Sequence, residues 1–597
     1  MSSAEHWRNC GLCGRVILLL VCLSSLPILY AQPTLRAQGN LKATTPSPNP
    51  ATQLLDITAH TGIHFNHISA PQARYIVESM SGGVALIDYD QDGYPDIYFT
   101  NAATVEMGLT GKKAKSALYH NNHDGTFTNV TDKAGVGYPC WAMGASVGDY
   151  NNDGRPDLLV TCFGGVILYR NNGNGTLTDV TKETGLGGDN GWATGASFGD
   201  YDGDGWPDLF VAHYVDFHLN DLPTFGSKKT CQYHDVPVQC GPRGLRGTSD
   251  NLYHNRGDGT FEDVSKRAGV DDPHGFFGLT AVWAHLSGDG PPNLFVANDG
   301  EPNFLYVNDG HGHFSDVAYP SGVAVNQDGT EQANMGVALG DYMHTGRFSI
   351  AISHFSEEYA TLYRNDGGMN FTDVSYPSGI ARSTTPYVGW GDAFVDLNNS
   401  GWSDFILVNG HVYPQVGASG TGTVFREPKV VYANQHDGTF RDVSKISGPA
   451  VQIPQVSRGL AVGDLFNDGH LEVVIENLEG SPVILRADAD AQNHWISLEL
   501  HGAKGNLLAL NARVRVTAGE LIQEDEVRSG GSYLSQNDLR LHFGLGKHAR
   551  ADKAEVRWPS GAKETLTGLA VDRFYVLQES KGIVSTHPAA SSPAIVH

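Results

Sequence analysis

Apolar residues in this chain come in short runs, and clusters of Asp, Asn and Gly separate them. Leu209-Phe210-Val211 follows the stretch Asp200-Tyr201-Asp202-Gly203-Asp204-Gly205-Trp206-Pro207-Asp208, and Val84-Ala85 leads into another beginning at Asp88. Runs this short, bounded by turn formers, predict strands. A second unit follows: Leu118-Tyr119-His120-Asn121, then Asp124-Gly125-Thr126-Phe127 and Val130-Thr131. It returns at Leu168-Tyr169, Leu252-Tyr253, Leu305-Tyr306, Leu362-Tyr363 and Val431-Tyr432. An Asp-Gly turn between apolar runs signals a hairpin. Each repeat therefore predicts strand, acidic loop, strand and hairpin. Four strands per repeat is the unit of a propeller blade.

The acidic loop has chemistry of its own. Asp200, Asp202, Asp204 and Asp208 hold positions 1, 3, 5 and 9, with Gly205 at position 6. Carboxylates this close repel unless a hard cation, with roughly six to eight oxygen ligands, sits among them. Gly205 lets the backbone turn there. No helix flanks the loop and no Glu stands at position 12, so an EF-hand is excluded. For a single copy the alternative is an acidic β-turn, since Asp and Gly favour turns anyway.

Recurrence favours the cation. Asp88, Asp90, Asp92 and Asp96 repeat the frame in full. Asp149, Asn151, Asp153 and Asp157 keep it with one amide, and Asp396, Asn398, Ser400 and Asp404 keep two carboxylates. Asp464, Asp468 and Glu472 remain where Phe466 has replaced position 3. The frames headed by His285 and Asp341 are degraded. The seven frames lie 51 to 85 residues apart. Ligand count predicts calcium at the first three, at Asp396 and at Asp464, and empty loops at His285 and Asp341.

The seventh frame lacks the hairpin half of the repeat, and a half-repeat without a loop, Leu55-Asp56-Ile57-Thr58 with Gly62-Ile63, stands near the N-terminus. An N-terminal strand completing the last blade would close the ring without a bare sheet edge. The expected fold is all-β: a seven-bladed propeller over 54–490, then a small sandwich-like β domain over 491–580. Alternation in His494 to Leu500, Ala512 to Val516 and Ala554 to Trp558 marks the latter. Residues 581–597, rich in Ser, Pro and Ala, read as a tail. Small residues precede each frame, and Gly stands five positions ahead of six of them; Thr280 is the exception. This is expected where inner strands crowd the ring axis.

Net charge is −25. Much of that acidity lies in the frames, and it argues against nucleic-acid phosphate as a partner. Arg8 and Arg15 precede an apolar run ending at Ala31, which predicts a signal peptide over 1–31. The other reading is an uncleaved anchor, but Ser24, Ser25 and Pro27 interrupt the run. With the signal removed no membrane span is expected. Residues 32–53 read as a linker. Four cysteines remain: Cys140, Cys162, Cys231 and Cys240. In an exported chain an even count suggests two disulfides, Cys231 with Cys240 and Cys140 with Cys162. Four buried thiols are the alternative.

At these residues the chain resembles a known family. The frames look like FG-GAP or VCBS repeats, the calcium-bearing blades of integrin α-subunit propellers. Glu526 to Asp538, Leu541-His542-Phe543-Gly544-Leu545-Gly546 and Val556-Arg557-Trp558-Pro559-Ser560-Gly561 resemble the ASPIC/UnbV domain. Together they are similar to bacterial cartilage-acidic-protein-like proteins. Asn511 stands where that pattern places Gly. The resemblance implies an exported calcium-binding propeller, periplasmic, at the cell surface or secreted, and implies no reaction.

Two readings of function follow. One is a binding or adhesion scaffold for an extracellular protein or glycan. The other is a secreted hydrolase or lyase working at the channel mouth, with Glu78, Asp392, Arg458, Trp141, Trp192 and Trp390 as candidates. Their plainer roles are packing between blades and an Asp392–Arg458 pair. No nucleophile elbow, zinc-protease motif or phosphate loop is present, so the scaffold is the favoured expectation.

Overall fold

The structure, a computed structural model, describes residues 51–112, 114–222, 231–418, 420 and 422–593. The expected signal peptide, and the linker before residue 51, lie outside the described residues. Seven four-stranded antiparallel sheets follow one another. In the first blade the strands are Val84–Ile87, Asp96–Phe99, Ala117–Asn121 and Phe127–Asn129. The frame forms the turn between the first two strands, and Leu-Tyr-x-Asn is the third. The seventh blade is Ser457–Gly463, Glu472–Asn477 and Val483–Asp488, completed by Gln53–Asp56 from the other end of the chain. Leu55 pairs with Arg486. The strand is shorter than the expected Leu55 to Ile63. Asp56 Oδ1 accepts the Thr58 N–H at 3.0 Å and its hydroxyl at 2.6 Å, which turns the chain. Ile57 and Ile63 still bury in a cluster shared by the first and seventh blades.

Two sets of hydrogen bonds run from blade to blade. The Asn of Leu-Tyr-x-Asn donates back to the position-2 carbonyl of the preceding frame. Asn171 reaches Tyr89 O at 2.7 Å, Asn255 reaches Tyr150 O at 2.7 Å, and Asn121 reaches Leu465 O at 2.7 Å. Asn308, Asn365 and Asn434 do the same. The second set runs forward, from the position-4 side chain to the position-6 glycine carbonyl of the next frame. Gln91 donates to Gly154, Asn152 to Gly205, His344 to Gly401, Asn399 to Gly469 and Asn467 to Gly93. The last link joins the seventh frame to the first.

The C-terminal domain is two four-stranded sheets. One orders Leu541–Gly546, His494–His501, Arg573–Gln578 and Gly582–Pro588; the other orders Leu521–Glu526, Arg513–Ala518, Arg550–Arg557 and Lys563–Ala570. Ile496, Val514, Phe543, Val556 and Trp558 fill the space between them. The expected tail is corrected in part. Gly582–Pro588 is a strand paired to Arg573–Gln578, because Ile583-Val584 and Thr586 give a β-forming run ahead of the Pro and Ala residues. Asn511 has φ +66°, a left-handed conformation that Asn tolerates, which accounts for Gly at this place in the family pattern.

The domain sits on the frame face of the ring. At the breaks in the forward series, where Gly203 and Gly288 carry no side chain, it makes contacts of its own: Asn506 N donates to Gly205 O and Arg513 Nη1 to Gly288 O, at 2.6 and 2.9 Å. Its segment Ser529 to Asp538 enters the ring axis and meets the inner strands of all seven blades. Gln536 N donates to Val84 O, Ala145 N to Leu534 O, Ser532 N to Val337 O and Asp538 N to Val462 O, at 2.8 to 3.2 Å. The remaining three blades are met through hydroxyls: Phe198 N donates to Ser529 Oγ, Asp392 N to Ser532 Oγ, and Thr280 Oγ1 to Ser532 O. Tyr533 is fully buried, and its hydroxyl donates to Met80 O at 2.6 Å. The glycines ahead of the first two frames now have a reason. A Cβ on Gly83 would stand 2.1 Å from Leu534 O, and one on Gly144 2.7 Å from Leu534 Cβ.

Both expected disulfides are formed, Cys140–Cys162 and Cys231–Cys240. The second closes a hairpin, Cys231–Tyr233 with Val236–Val238, in the blade-3 insertion. That hairpin reaches across to blades 5 and 6, where Tyr233 hydrogen-bonds Ser356 at 2.8 Å and packs on His411.

Candidate metal centre

In six frames the position-1 carboxylate does local work first. Asp88 accepts the N–H of Asp92 and Gly93 at 3.1 and 2.9 Å; Asp149, Asp341, Asp396 and Asp464 repeat the arrangement, and Asp200 accepts the N–H of Gly203 and Gly205 instead. Position 6 is a glycine with φ between +70° and +89° in those same frames. The position-9 carboxylate anchors the loop to the third strand. Asp96 accepts Asn121 N at 2.8 Å, and Asp208 accepts Asn255 N at 2.8 Å.

The frames differ in what remains. Asp88, Asp90 and Asp96 bring carboxylate oxygens within 4.8 Å of one another, and so do Asp200, Asp202 and Asp208. Position 5 does not join them. Asp92 groups instead with Asp90 and His120, and Asp204 with Asp202 and His254. The sequence reading missed both histidines, which lie a strand away. A signal was present: the third residue of Leu-Tyr-x-Asn is His only in the two frames with four carboxylates. Burial, with mutual repulsion, pushes Asp88 and Asp200 up to about 7 and Asp208 up to about 8. A cation among them offsets that cost.

In the second frame Arg155 ion-pairs with Asp153, and Asn151 Nδ2 donates to Asp153 Oδ2 at 2.8 Å. Asp149 and Asp157 keep their backbone bonds, and burial raises both. In the sixth, Asn398 Oδ1 and Asp396 both accept Ser400 N, and Asp404 accepts Asn434 N. Gly544 of the C-terminal domain lies so close that an added Cβ would overlap Asp396 Oδ2. The seventh holds its own cation. Arg486 Nη2 lies 2.6 Å from Asp468 Oδ2 and Nη1 lies 2.6 Å from Glu472 Oε1. The fourth borrows a carboxylate: Glu526 accepts from His285 N at 3.1 Å and lies 3.0 Å from its Nδ1. Among the described residues, the grouped ligand sets occur only in the first and third frames.

The residues expected at the channel mouth are engaged. Glu78 accepts Val105 N at 2.6 Å and Ala70 N at 2.9 Å. Arg458 does not pair with Asp392. It donates to Ser79 O and Gly410 O and lies 3.9 Å over Trp390. Trp141, Trp192 and Trp390 are buried in one cluster with Tyr533 and Leu534. The Asp392 carboxylate, held well above its usual pKa by burial, lines a cavity of about 170 Å³ between ring and C-terminal domain.

Comparison with known proteins agrees with this architecture. Residues 502–584 match the ASPIC and UnbV family model, and residues 88–160, 149–211 and 396–475 match the FG-GAP-like repeat. The chain thus carries FG-GAP-like repeats and an ASPIC and UnbV domain. The repeat matches leave out the degraded frames headed by His285 and Asp341. The FG-GAP chain is 24% identical to cartilage acidic protein 1 of Homo sapiens over 316 residues, 52% of this chain and 37% of that protein. It is also 24% identical to the Xenopus tropicalis protein of that name, over 53% of this chain and 46% of the other. The match thus spans less than half the length of those relatives. Solved structures with similarity include an Agrocybe aegerita protein described as recognising terminal N-acetylglucosamine (TM-score 0.37, 16% identity, covering 67% of this chain and 87% of that one). The Dos1 propeller is another (TM-score 0.37, 8% identity, covering 73% and 95%). Scores this low carry nothing about ligands.

Proposed function

We propose that this chain is an exported scaffold: a calcium-braced ring that holds an extracellular protein or a glycan on its outer surfaces. The observation that carries the reading is the filled axis. Ser529 to Asp538 occupies the space in which a channel-mouth hydrolase or lyase would bind substrate, and Glu78 and Arg458 are committed to backbone groups. Two disulfides support an oxidising compartment. The carboxylate groups of the first and third frames support calcium. The name of the cartilage relatives is in keeping with an extracellular setting.

An array of glycans and matrix proteins, probed with the mature protein in calcium and in chelator, tests the reading. Calcium-dependent capture is expected. Turnover of an arrayed glycan in place of capture would return the enzyme reading. Metal analysis finding less than one calcium per chain after dialysis would remove the calcium.

A further inference from the structure

Asp392 is charged at a place where every other blade is apolar. Four positions ahead of the frame heads stand Val84, Ala145, Ala196, Ala281, Val337 and Leu460, and in the sixth blade Asp392. All seven lie on the inner strands of their blades. Asp392 is 1% exposed, and neither of its carboxylate oxygens has a hydrogen-bond partner among the described residues. Buried charges are ordinarily paired or bound to a metal, and a buried polar atom left over calls for an ion or a water.

We infer that Asp392 holds a monovalent alkali cation, sodium or potassium, at the ring axis. The site lies between the inner strands of the fifth and sixth blades and the axial segment of the C-terminal domain. It is separate from the frames and goes beyond the scaffold reading.

Three observations carry it. The first is convergence of oxygens. The Asp392 side chain turns toward Gly336, just ahead of the fifth blade's inner strand Val337–Gly340. A Cβ added at Gly336 would stand 2.9 Å from Asp392 Oδ1 and 3.1 Å from Ser353 Oγ, and would overlap Trp390 O. Three oxygens thus gather on the bare face of one glycine. Ser353 Oγ accepts Gly336 N at 2.8 Å and donates to Trp390 O, so its proton is not free for Asp392. From the axial segment, Ser532 Oγ accepts Asp392 N at 3.1 Å. Oxygen is the donor that hard cations take.

The second is room. Asp392 and Ser532 line the cavity of about 170 Å³ between ring and C-terminal domain. A water's share of liquid volume is about 30 Å³. The cavity therefore takes an ion with a few waters, and no sugar or peptide.

The third is charge. The other carboxylates lining this cavity are already answered. Asp525 pairs with Arg528 and Asp538 with Arg540, both at 2.6 Å. Glu524 pairs with Arg515, and Glu526 lies 3.0 Å from His285 Nδ1. The three frame heads there each accept two backbone N–H groups. One negative charge is left, which one positive charge balances and a calcium ion would exceed. A proton on Asp392 would offset the same charge, but would leave stability indifferent to which cation is in solution.

The full exported chain, saturated with calcium, is unfolded in urea in choline, sodium, potassium and rubidium chloride at one ionic strength. The midpoint is expected to stand higher in an alkali salt than in choline. Above its Kd, each tenfold increase in the ion should lower the unfolding equilibrium constant about tenfold. Crystals grown in rubidium should show one anomalous peak beside Asp392. Asp392→Ala gives the sixth blade the residue that the second, third and fourth carry, so it is expected to fold. It should lose both the alkali dependence and the rubidium peak while keeping its calcium content. Asp392→Asn, which keeps the shape and removes the charge, should do the same. A parent with one midpoint in choline and in every alkali salt overturns the proposal. So does an Asp392→Ala chain that responds to the ion as the parent does, or a rubidium map with no peak at Asp392. Calcium content, read in parallel, tells any of these failures from a failure of the calcium frames.

Discussion

The first and seventh frames lie next to each other in the ring and solve one electrostatic problem in two ways. Both crowd carboxylates into a nine-residue loop whose head accepts two backbone N–H groups. In the seventh, Arg486 on the next strand sits between Asp468 and Glu472, both fully or nearly fully buried. In the first, no arginine ion-pairs with the frame among the described residues, and Asp90 stays about a quarter exposed beside His120. The seventh loop carries its own counter-charge, whereas the first would take one from a bound cation. Acidity alone therefore does not set what a loop needs; the charge on the neighbouring strand matters too.

The comparison breaks most visibly at the seam. Starting the chain at Phe65 deletes the strand that pairs with the Arg486 strand. Leu54, Ile57 and Ile63 leave the core, at ~1.5–3 kcal/mol for each fully buried side chain. Loss of soluble, cooperatively melting protein is expected, and a truncated form that melts like the parent would show that the seam is dispensable.

Arg486→Met comes next. Removing one partner of a buried ion pair costs ~3–5 kcal/mol. Denaturant unfolding should show that loss in chelator. If the two frames differ only in where the cation comes from, calcium should restore part of it. No restoration would mean that the seventh loop is not a calcium frame in disguise.

Asp202→Ala tests the other side. A ligand at a hundredfold excess over Kd stabilises by ~2.7 kcal/mol. The variant should melt lower than the parent in calcium and nearly with it in chelator; equal losses in both would make the loop a turn and nothing more.

The smallest effect is with pH. Asp88, Asp200 and Asp208 bind protons more tightly folded than unfolded, at about 7, 7 and 8 against 3.8. Folded pKa values raised above unfolded ones give stability that is full below about pH 4 and lost as pH climbs to about 8. In chelator the melting temperature should fall over that window. Calcium competes with these protons, so its stabilisation should grow over the same range. A calcium increment that is flat from pH 5 to 8 would contradict this.

What the sequence revealed was what is local. The frame fits in nine residues, so all seven copies, and the missing half of the last, could be read directly. The seam strand was legible as a complementary absence. Arg486 was not, since it lies 14 residues beyond Glu472 on another strand. His120 and His254 were hidden in a motif read for its apolar positions. The axial segment was the least legible. Ser529-Gly530-Gly531-Ser532 reads as a turn, and its partners come from seven strands spread over four hundred residues. An Asp392–Arg458 pair was the plainer alternative for these two residues, but Trp390 and backbone carbonyls take the guanidinium instead.

The filled axis also sets a clock. The seventh blade's last ring strand ends at Asp488, and the segment that enters the axis begins some 40 residues later. At ~5–20 residues per second, about 2–8 s separate the two. For that interval a growing chain has every blade sequence but nothing to thread the middle, where Gly83, Gly144 and Gly459 later meet Leu534 and Ser535. The sequence of the ring is therefore complete before the segment that fills its axis is made.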